Sequence, residues 1–158
     1  MIPKPKIIII YESYHHQNTE KVAHIIAQRL QANLYHTDEA KSVPLSEYEV
    51  IGIGTGIYYG KPHRKIHSFI NNLPIFNGQK SFLFTTSGII YKKYIQGVSS
   101  KIIHRLEEKK LKVIDCLSIK GWDTFGPLKL IGGINKGHPD LVDLYNAELF
   151  ANKLINEL

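Results

Sequence analysis

Short apolar runs alternate with segments of helical period along the whole chain. Residues 6–11 (KIIIIY) are dominated by consecutive β-branched residues, which is typical of a strand buried on both faces of a parallel sheet. Residues 18–32 instead space their apolar side chains for one face of a helix. This alternation predicts an α/β fold, because parallel strands need long crossover connections, usually helices.

The same alternation continues to the end of the chain. Further strands are predicted at residues 33–36, 50–54, 81–86 and 111–119, and further helices at 62–73, 94–109 and 139–158. Five strands in 158 residues favour a doubly wound three-layer sandwich with a parallel sheet in the order 2-1-3-4-5, in one domain spanning residues 1–158. Ligands of such sheets bind beyond the carboxyl ends of the strands, so we expect function in the loops after strands 1, 3, 4 and 5.

The loop after the first predicted strand is long and polar. Residues 12–19 read ESYHHQNT and lead directly into the first helix. Hydroxyl, amide and backbone N–H groups at a helix N-terminus bind phosphate, and Ser13, Tyr14, Asn18 and Thr19 supply such donors. The alternative is that Asn18 or Thr19 only caps the helix, which contributes about 1 kcal/mol, but a cap alone does not require so long a polar loop.

The other three loops carry glycines and aromatic residues. They read GTGIYYGK (residues 54–61), SGIIY (87–91) and WDTFGP (122–127). Glycines allow the backbone to approach a ligand closely, and aromatic rings offer faces for stacking. With the polar first loop, these segments predict a pocket for a planar aromatic ligand with a phosphate tail; the alternative is that the rings only cover the core.

Other ligand motifs are excluded. The segment GIYYGKP is one residue short of a P-loop and has Pro62 at the metal-binding hydroxyl position. A dinucleotide GxGxxG would follow the first strand, where no glycine stands. A phospho-receiver domain would need an acidic pair after strand 1 and an aspartate ending strand 3, where this chain has Glu12 and Gly54. A metal bound by His15 and His16 is disfavoured, because adjacent residues seldom point at one ion.

The loop motifs carry a family resemblance. YESYHHQNTEKVA after the first strand, GTGIYYGKPH after the third and GWDTFGPLKLIGGINKGHP after the fifth resemble the flavodoxin-like proteins over nearly the whole chain. The resemblance implies a flavodoxin-like fold that binds FMN non-covalently in these loops. The residues that it implies in cofactor binding are Ser13, Tyr14, His15, His16, Gln17, Asn18, Thr19, Thr55, Gly56, Ile57, Tyr58, Tyr59, Gly60, Ser87, Gly88, Tyr91 and Trp122.

Two features depart from the family pattern. His16 and Gln17 stand where the family usually has Thr-Gly, in a loop that is one residue longer. The formal net charge is +6, whereas typical flavodoxins are acidic, so we expect an acidic redox partner. Nucleic acid is disfavoured as a partner, because the basic residues are scattered along the predicted helices.

The resemblance implies an electron carrier rather than an enzyme with its own substrate, and no catalytic triad is expected, because the flavin performs the redox chemistry. One alternative is a flavin-dependent oxidoreductase acting on a quinone-like or porphyrinogen-like substrate. Another is an interaction protein that keeps the fold without flavin. The segment 120–139 has three possible roles: it covers the flavin, extends the sheet edge or forms a dimer contact.

The remaining patterns bear on location. No apolar run in the sequence reaches the roughly 18 residues of a membrane span, and the N-terminal apolar run is too short for a signal peptide. We therefore expect a cytoplasmic protein. The single cysteine, Cys116, cannot form an internal disulfide and is predicted to be a buried, inert thiol.

Overall fold

The computed structural model describes residues 3–158. Its centre is a six-stranded sheet in which the long strands run in the order β2-β1-β3-β5-β6, all parallel. Without the short β4, this is the predicted order 2-1-3-4-5, and the fold class is confirmed. The strands are β1 (Ile7–Glu12), β2 (Asn33–His36), β3 (Val50–Tyr58), β4 (Lys61–Pro62), β5 (Lys80–Ser87) and β6 (Lys112–Lys120).

Helices cover both faces of the sheet. They are α1 (Asn18–Leu30), α2 (Thr37–Ala40), α3 (Arg64–Asn71), α4 (Lys92–Glu108) and α5 (Leu141–Glu157), with 3₁₀ turns at Leu45–Glu47 and Gly126–Ile131. Helices α1 and α5 pack on one face, and α3 and α4 pack on the other. Within residues 3–158, no helix is long and apolar enough to cross a membrane.

Strand β1 explains why the apolar run is continuous. Ile8 and Ile10 pack under α3 and α4, whereas Ile7 and Ile9 pack under α1 and α5. Successive side chains of a strand point to opposite faces, so a strand between two helical layers must be apolar at every position. The prediction that both faces of this strand are buried is confirmed.

Strand β3 is longer than predicted and ends at Tyr58 rather than at Gly54. Its last residues pair antiparallel with β4, through Ile57 with Pro62 and Tyr58 with Lys61. The two residues between these strands, Tyr59 and Gly60, have positive φ angles of 47° and 72°. Two consecutive positive φ angles are the signature of a tight hairpin turn. Residues 55–58 therefore belong to a strand end and not to a flexible loop.

Strand β6 lies at the edge of the sheet. Cys116 on this strand is only partly buried, whereas a buried thiol was predicted. Burial nevertheless raises the pKa of the Cys116 thiol. A thiol with a raised pKa is a poor nucleophile at neutral pH, which agrees with an inert side chain.

Candidate functional site

The polar and aromatic loops meet at the carboxyl edge of the sheet. The register pairs Glu12 at the end of β1 with Thr55, and Gly56 with Thr86 on β5. On the far side, Ser87 pairs with Lys120 at the end of β6. The first loop, the β3–β4 turn and the segments after β5 and β6 therefore converge on one side of the molecule, as predicted.

The backbone of the first loop turns sharply into α1. His16 and Gln17 both have positive φ angles, 52° and 54°, and Gln17 is the N-cap residue. Within residues 3–158, no side chain caps the helix start, so the interpretation of Asn18 or Thr19 as a cap is wrong. The N-terminus of α1 therefore keeps its partial positive charge, without a side-chain cap, for an anion.

Asn18 and Thr19 anchor α1 to the neighbouring loops. The Asn18 side-chain amide donates to the carbonyl oxygen of Trp122 at 2.8 Å, and the Thr19 and Thr86 hydroxyls lie 2.8 Å apart. A Cβ atom on Gly121 would lie 2.6 Å from the Asn18 amide nitrogen, so glycine is needed for this close approach. These two polar side chains are therefore used for positioning.

His16 forms a wall of the site. Its ring stacks on the Trp122 indole at 3.7 Å between centroids with a 15° angle. Its Nε2 atom hydrogen-bonds the Thr124 hydroxyl at 2.8 Å, and the Trp122 indole N–H donates to the Gly132 carbonyl oxygen at 3.1 Å. The first loop therefore covers one face of the Trp122 indole ring.

Three buried polar atoms near α1 have no hydrogen-bond partner among the described residues: Ser13 Oγ, His15 Nε2 and Asn18 Oδ1. The first two can donate. Burial lowers the pKa of His15, and the neighbouring His16 lowers it further. Because an unpaired buried donor costs about 1–3 kcal/mol, this pair beside a positive helix end fits a phosphate group.

Tyr58 reaches into the same place. Burial raises the pKa of Tyr58, and the backbone N–H groups of His15 and Tyr14 near its hydroxyl partly offset this rise. A Cβ atom on Gly56 would lie 2.5 Å from this hydroxyl. The phenol therefore lies back across Gly56, with its oxygen at the amide groups of the first loop.

An aromatic cluster forms the rest of the site. The ring of Phe125 lies 5.6 Å from His15, 5.5 Å from Tyr58 and 5.0 Å from Tyr59, measured between centroids. These distances are typical of edge and tilted contacts. A planar ligand stacked between Tyr59 and Phe125 needs about 7 Å between the two rings, so their side chains must separate to admit one.

The structure also adds residues that the sequence did not indicate. His63 is half-buried, and its ring lies 6.0 Å from Tyr58. Its backbone N–H donates to the Thr55 hydroxyl at 3.0 Å. Thr86 also belongs to the site, and its position at a strand end was the available signal. Phe125 lies in the segment WDTFGP, which the sequence had already indicated. Tyr91, in contrast, is 80% exposed and makes no ring contact with the described residues.

The segment 120–139 folds over the carboxyl edge. Asp123 and Ile134 form an antiparallel bridge, and the Asn135 side-chain amide donates to the Gly88 carbonyl oxygen at 2.6 Å. A Cβ atom on Gly88 would lie 2.6 Å from the Cβ of Asp123. Of the three predicted roles, extension of the sheet edge is wrong, because the segment adds no strand beyond β6.

An uncapped helix start, buried free donors and an aromatic cluster lie at the switch point of this parallel sheet, where open α/β sheets bind their ligands. Residues 8–114 match the family model of the flavodoxin domain. The chain belongs to this flavodoxin-domain family. An uncharacterized protein of Methanocaldococcus jannaschii is 36% identical over 150 residues, which cover 95% of this chain and 98% of that protein.

Solved structures share the fold. Oxidised flavodoxin 1 from Bacillus cereus matches with a TM-score of 0.71 and 19% identity, over 97% of this chain and 99% of that chain. A flavoprotein from Lactobacillus acidophilus, solved in complex with FMN, matches with a TM-score of 0.59 and 18% identity, over 72% of this chain and 93% of that chain. Both similarities support the fold class described above.

Proposed function

We propose that this protein binds FMN at the carboxyl edge of its sheet and carries electrons between redox partners. The observation that carries the proposal is the pair of buried, unpartnered donors, Ser13 Oγ and His15 Nε2, beside the uncapped start of α1. Membership of the flavodoxin-domain family and the FMN complex of the Lactobacillus acidophilus flavoprotein support it.

The phosphate would be held by the first loop. Ser13 and His15 would donate from their side chains, and the backbone N–H groups of Tyr14 and His15, which lie near the Tyr58 hydroxyl in the ligand-free protein, would donate as well. Hydrogen bonds to a dianion are stronger than those between neutral groups, so phosphate outcompetes a phenol for these amides. The dipole of α1 acts in the same direction.

The ring of the cofactor would lie against the aromatic cluster. Tyr58, Tyr59 and Phe125 offer faces for stacking, and the lack of a Cβ atom at Gly56 and Gly88 lets the Tyr58 phenol and the Asp123 side chain lie close to the backbone there. FMN supplies the redox chemistry when bound, and the protein binds it, orients it and excludes water from it. The backbone at Thr55 and Gly56, beside the aromatic cluster, is held by a hydrogen bond from the buried Thr55 hydroxyl to the Gly56 carbonyl oxygen at 2.9 Å.

The test is a titration of the apoprotein with FMN in phosphate-free buffer, followed by quenching of flavin fluorescence. We expect tight binding with strong quenching, and weaker binding of riboflavin, which lacks the phosphate. Ser13→Ala should weaken binding of FMN but not of riboflavin. The matched control is Ser99→Ala on α4, which removes another buried hydroxyl and should leave both affinities unchanged.

Two results would redirect the assignment. No FMN binding at tens of micromolar would support the flavin-free interaction protein instead. Steady turnover of the FMN-loaded protein with NAD(P)H and a quinone would support the flavin-dependent oxidoreductase, since a carrier needs a separate reductase.

A further inference from the structure

A cationic cleft lies between α3 and α4, next to the β3–β4 turn. It has a volume of about 420 Å³, and its walls carry Lys61, Arg64, Lys101 and Arg105. None of the residues that line it is acidic. A cleft with charges of one sign concentrates its electrostatic potential and attracts ligands of the opposite sign.

The positive charges in the cleft are not neutralised by the protein itself. None of the four cations forms an ion pair with any residue in the described range 3–158, and Arg105 donates only to the neutral amide oxygen of Asn71, at 2.5 Å. The adjacent Lys65 behaves differently, because its ammonium pairs with Asp38 at 2.7 Å. The cleft therefore keeps its charge for an external anion.

The floor of the cleft is apolar. Val98 and Ile102 of α4, together with Pro62 of β4, contribute its non-polar surface. Carboxylates alone would pair with the four cations but would not suit this apolar surface. An occupant that carries both acidic and apolar groups matches the whole cleft.

The cleft lies beside the proposed flavin site rather than over it. Gly60 is the single candidate cofactor residue among those that line it, and neither Tyr58 nor Tyr59 contributes. A small redox substrate must touch the flavin ring, so this position does not suit one. A protein can anchor a segment here and bring its own redox centre to the neighbouring aromatic cluster.

We propose that this cleft docks an acidic, partly apolar segment of the protein that exchanges electrons with this one. The inference rests on the proposed electron-carrier function. The cations steer the partner into contact, and the apolar floor fixes the register of the bound segment.

The experiment measures binding of a fluorescent peptide of alternating glutamate and leucine, by anisotropy at low salt, to the FMN-loaded and FMN-free protein. The double variant Arg64→Gln/Lys101→Gln removes two charges from the cleft. The matched control, Lys21→Gln/Lys112→Gln, removes two exposed lysines of α1 and β6. Both variants carry the same net charge, so a difference between them reports where the peptide binds.

We expect the cleft variant to weaken peptide binding by between about twofold and thirtyfold, from two exposed ion pairs, and the control variant to have a smaller effect. Equal weakening by both variants, or no peptide binding by the unmodified protein, would overturn the proposal. If inorganic polyphosphate binds equally strongly and the same cleft variant weakens its binding, the cleft binds polyanions in general. The proposal of a protein partner would then be wrong. Peptide binding is also measured on the FMN-free protein, so a failure of peptide docking can be distinguished from a failure of FMN binding.

Discussion

If phosphate binds as proposed, it takes the backbone N–H groups that lie near the Tyr58 hydroxyl, so this hydroxyl should compete with it. In the ligand-free protein the amides of His15 and Tyr14 lower the pKa of Tyr58 against the rise that burial causes. Tyr58→Phe removes the oxygen but keeps the ring that packs on Phe125. We therefore expect the variant to bind FMN more tightly than the unmodified protein does.

The magnitude follows from the two amide contacts of the hydroxyl. If each contributes as a hydrogen bond does, about 0.5–1.5 kcal/mol net, Tyr58→Phe lowers the stability of the ligand-free form by about 1–3 kcal/mol. In the proposed FMN complex phosphate would hold the amides, so the complex should lose nothing from this change. The dissociation constant for FMN should fall by between about fivefold and 150-fold, and the urea midpoint of the apoprotein should fall as well.

The assay is the FMN fluorescence titration, and Tyr59→Phe is the control. The Tyr59 side chain is 73% exposed, and its hydroxyl makes no hydrogen bond within the described chain, so its removal should leave FMN affinity unchanged. If Tyr58→Phe binds FMN as tightly as the unmodified protein or more weakly, the hydroxyl does not compete with phosphate and the reasoning fails.

Three further outcomes are expected. Burial lowers the pKa of His15 in the ligand-free protein, and a phosphate dianion would raise it. FMN binding should then take up a proton, so FMN affinity should rise as pH falls from above the His15 pKa of the complex to below that of the ligand-free protein. The His15→Gln variant serves as control for the ionisation of the phosphate itself, and parallel pH profiles of the two proteins would contradict the contact. Gly54→Ala would place a Cβ atom 2.2 Å from the Phe84 ring, and urea unfolding should show a loss of about 1–3 kcal/mol. Gly97→Ala meets nothing within 4 Å in the exposed part of α4 and should stabilise the protein by about 0.5–1 kcal/mol; a loss of stability would contradict this.

The site was only partly predictable, because pattern identifies polar residues but not their partners. Asn18 and Thr19 were predicted as phosphate donors. In the structure, however, the Asn18 side chain hydrogen-bonds the Trp122 carbonyl oxygen and the Thr19 hydroxyl hydrogen-bonds the Thr86 hydroxyl. Ser13 was also predicted as a phosphate donor, and His15 was implied by the resemblance. Ser13 Oγ and His15 Nε2 have no hydrogen-bond partner among the described residues. Which donor stays free depends on loops that are about 70 to 100 residues away along the chain, and sequence spacing carries no information about them.

The amino-acid sequence by itself determined the layers, the strand order and the edge of the sheet at which the loops meet. Burial on two faces requires continuous apolar strands such as residues 7–10, and parallel strands require crossovers of one hand, so period and order follow from local chemistry. The tertiary structure alone decided the length of β3, the position of the Tyr58 hydroxyl and the unpaired cations between α3 and α4. Each of these depends on which distant groups come within contact distance, and that is settled only when the chain packs.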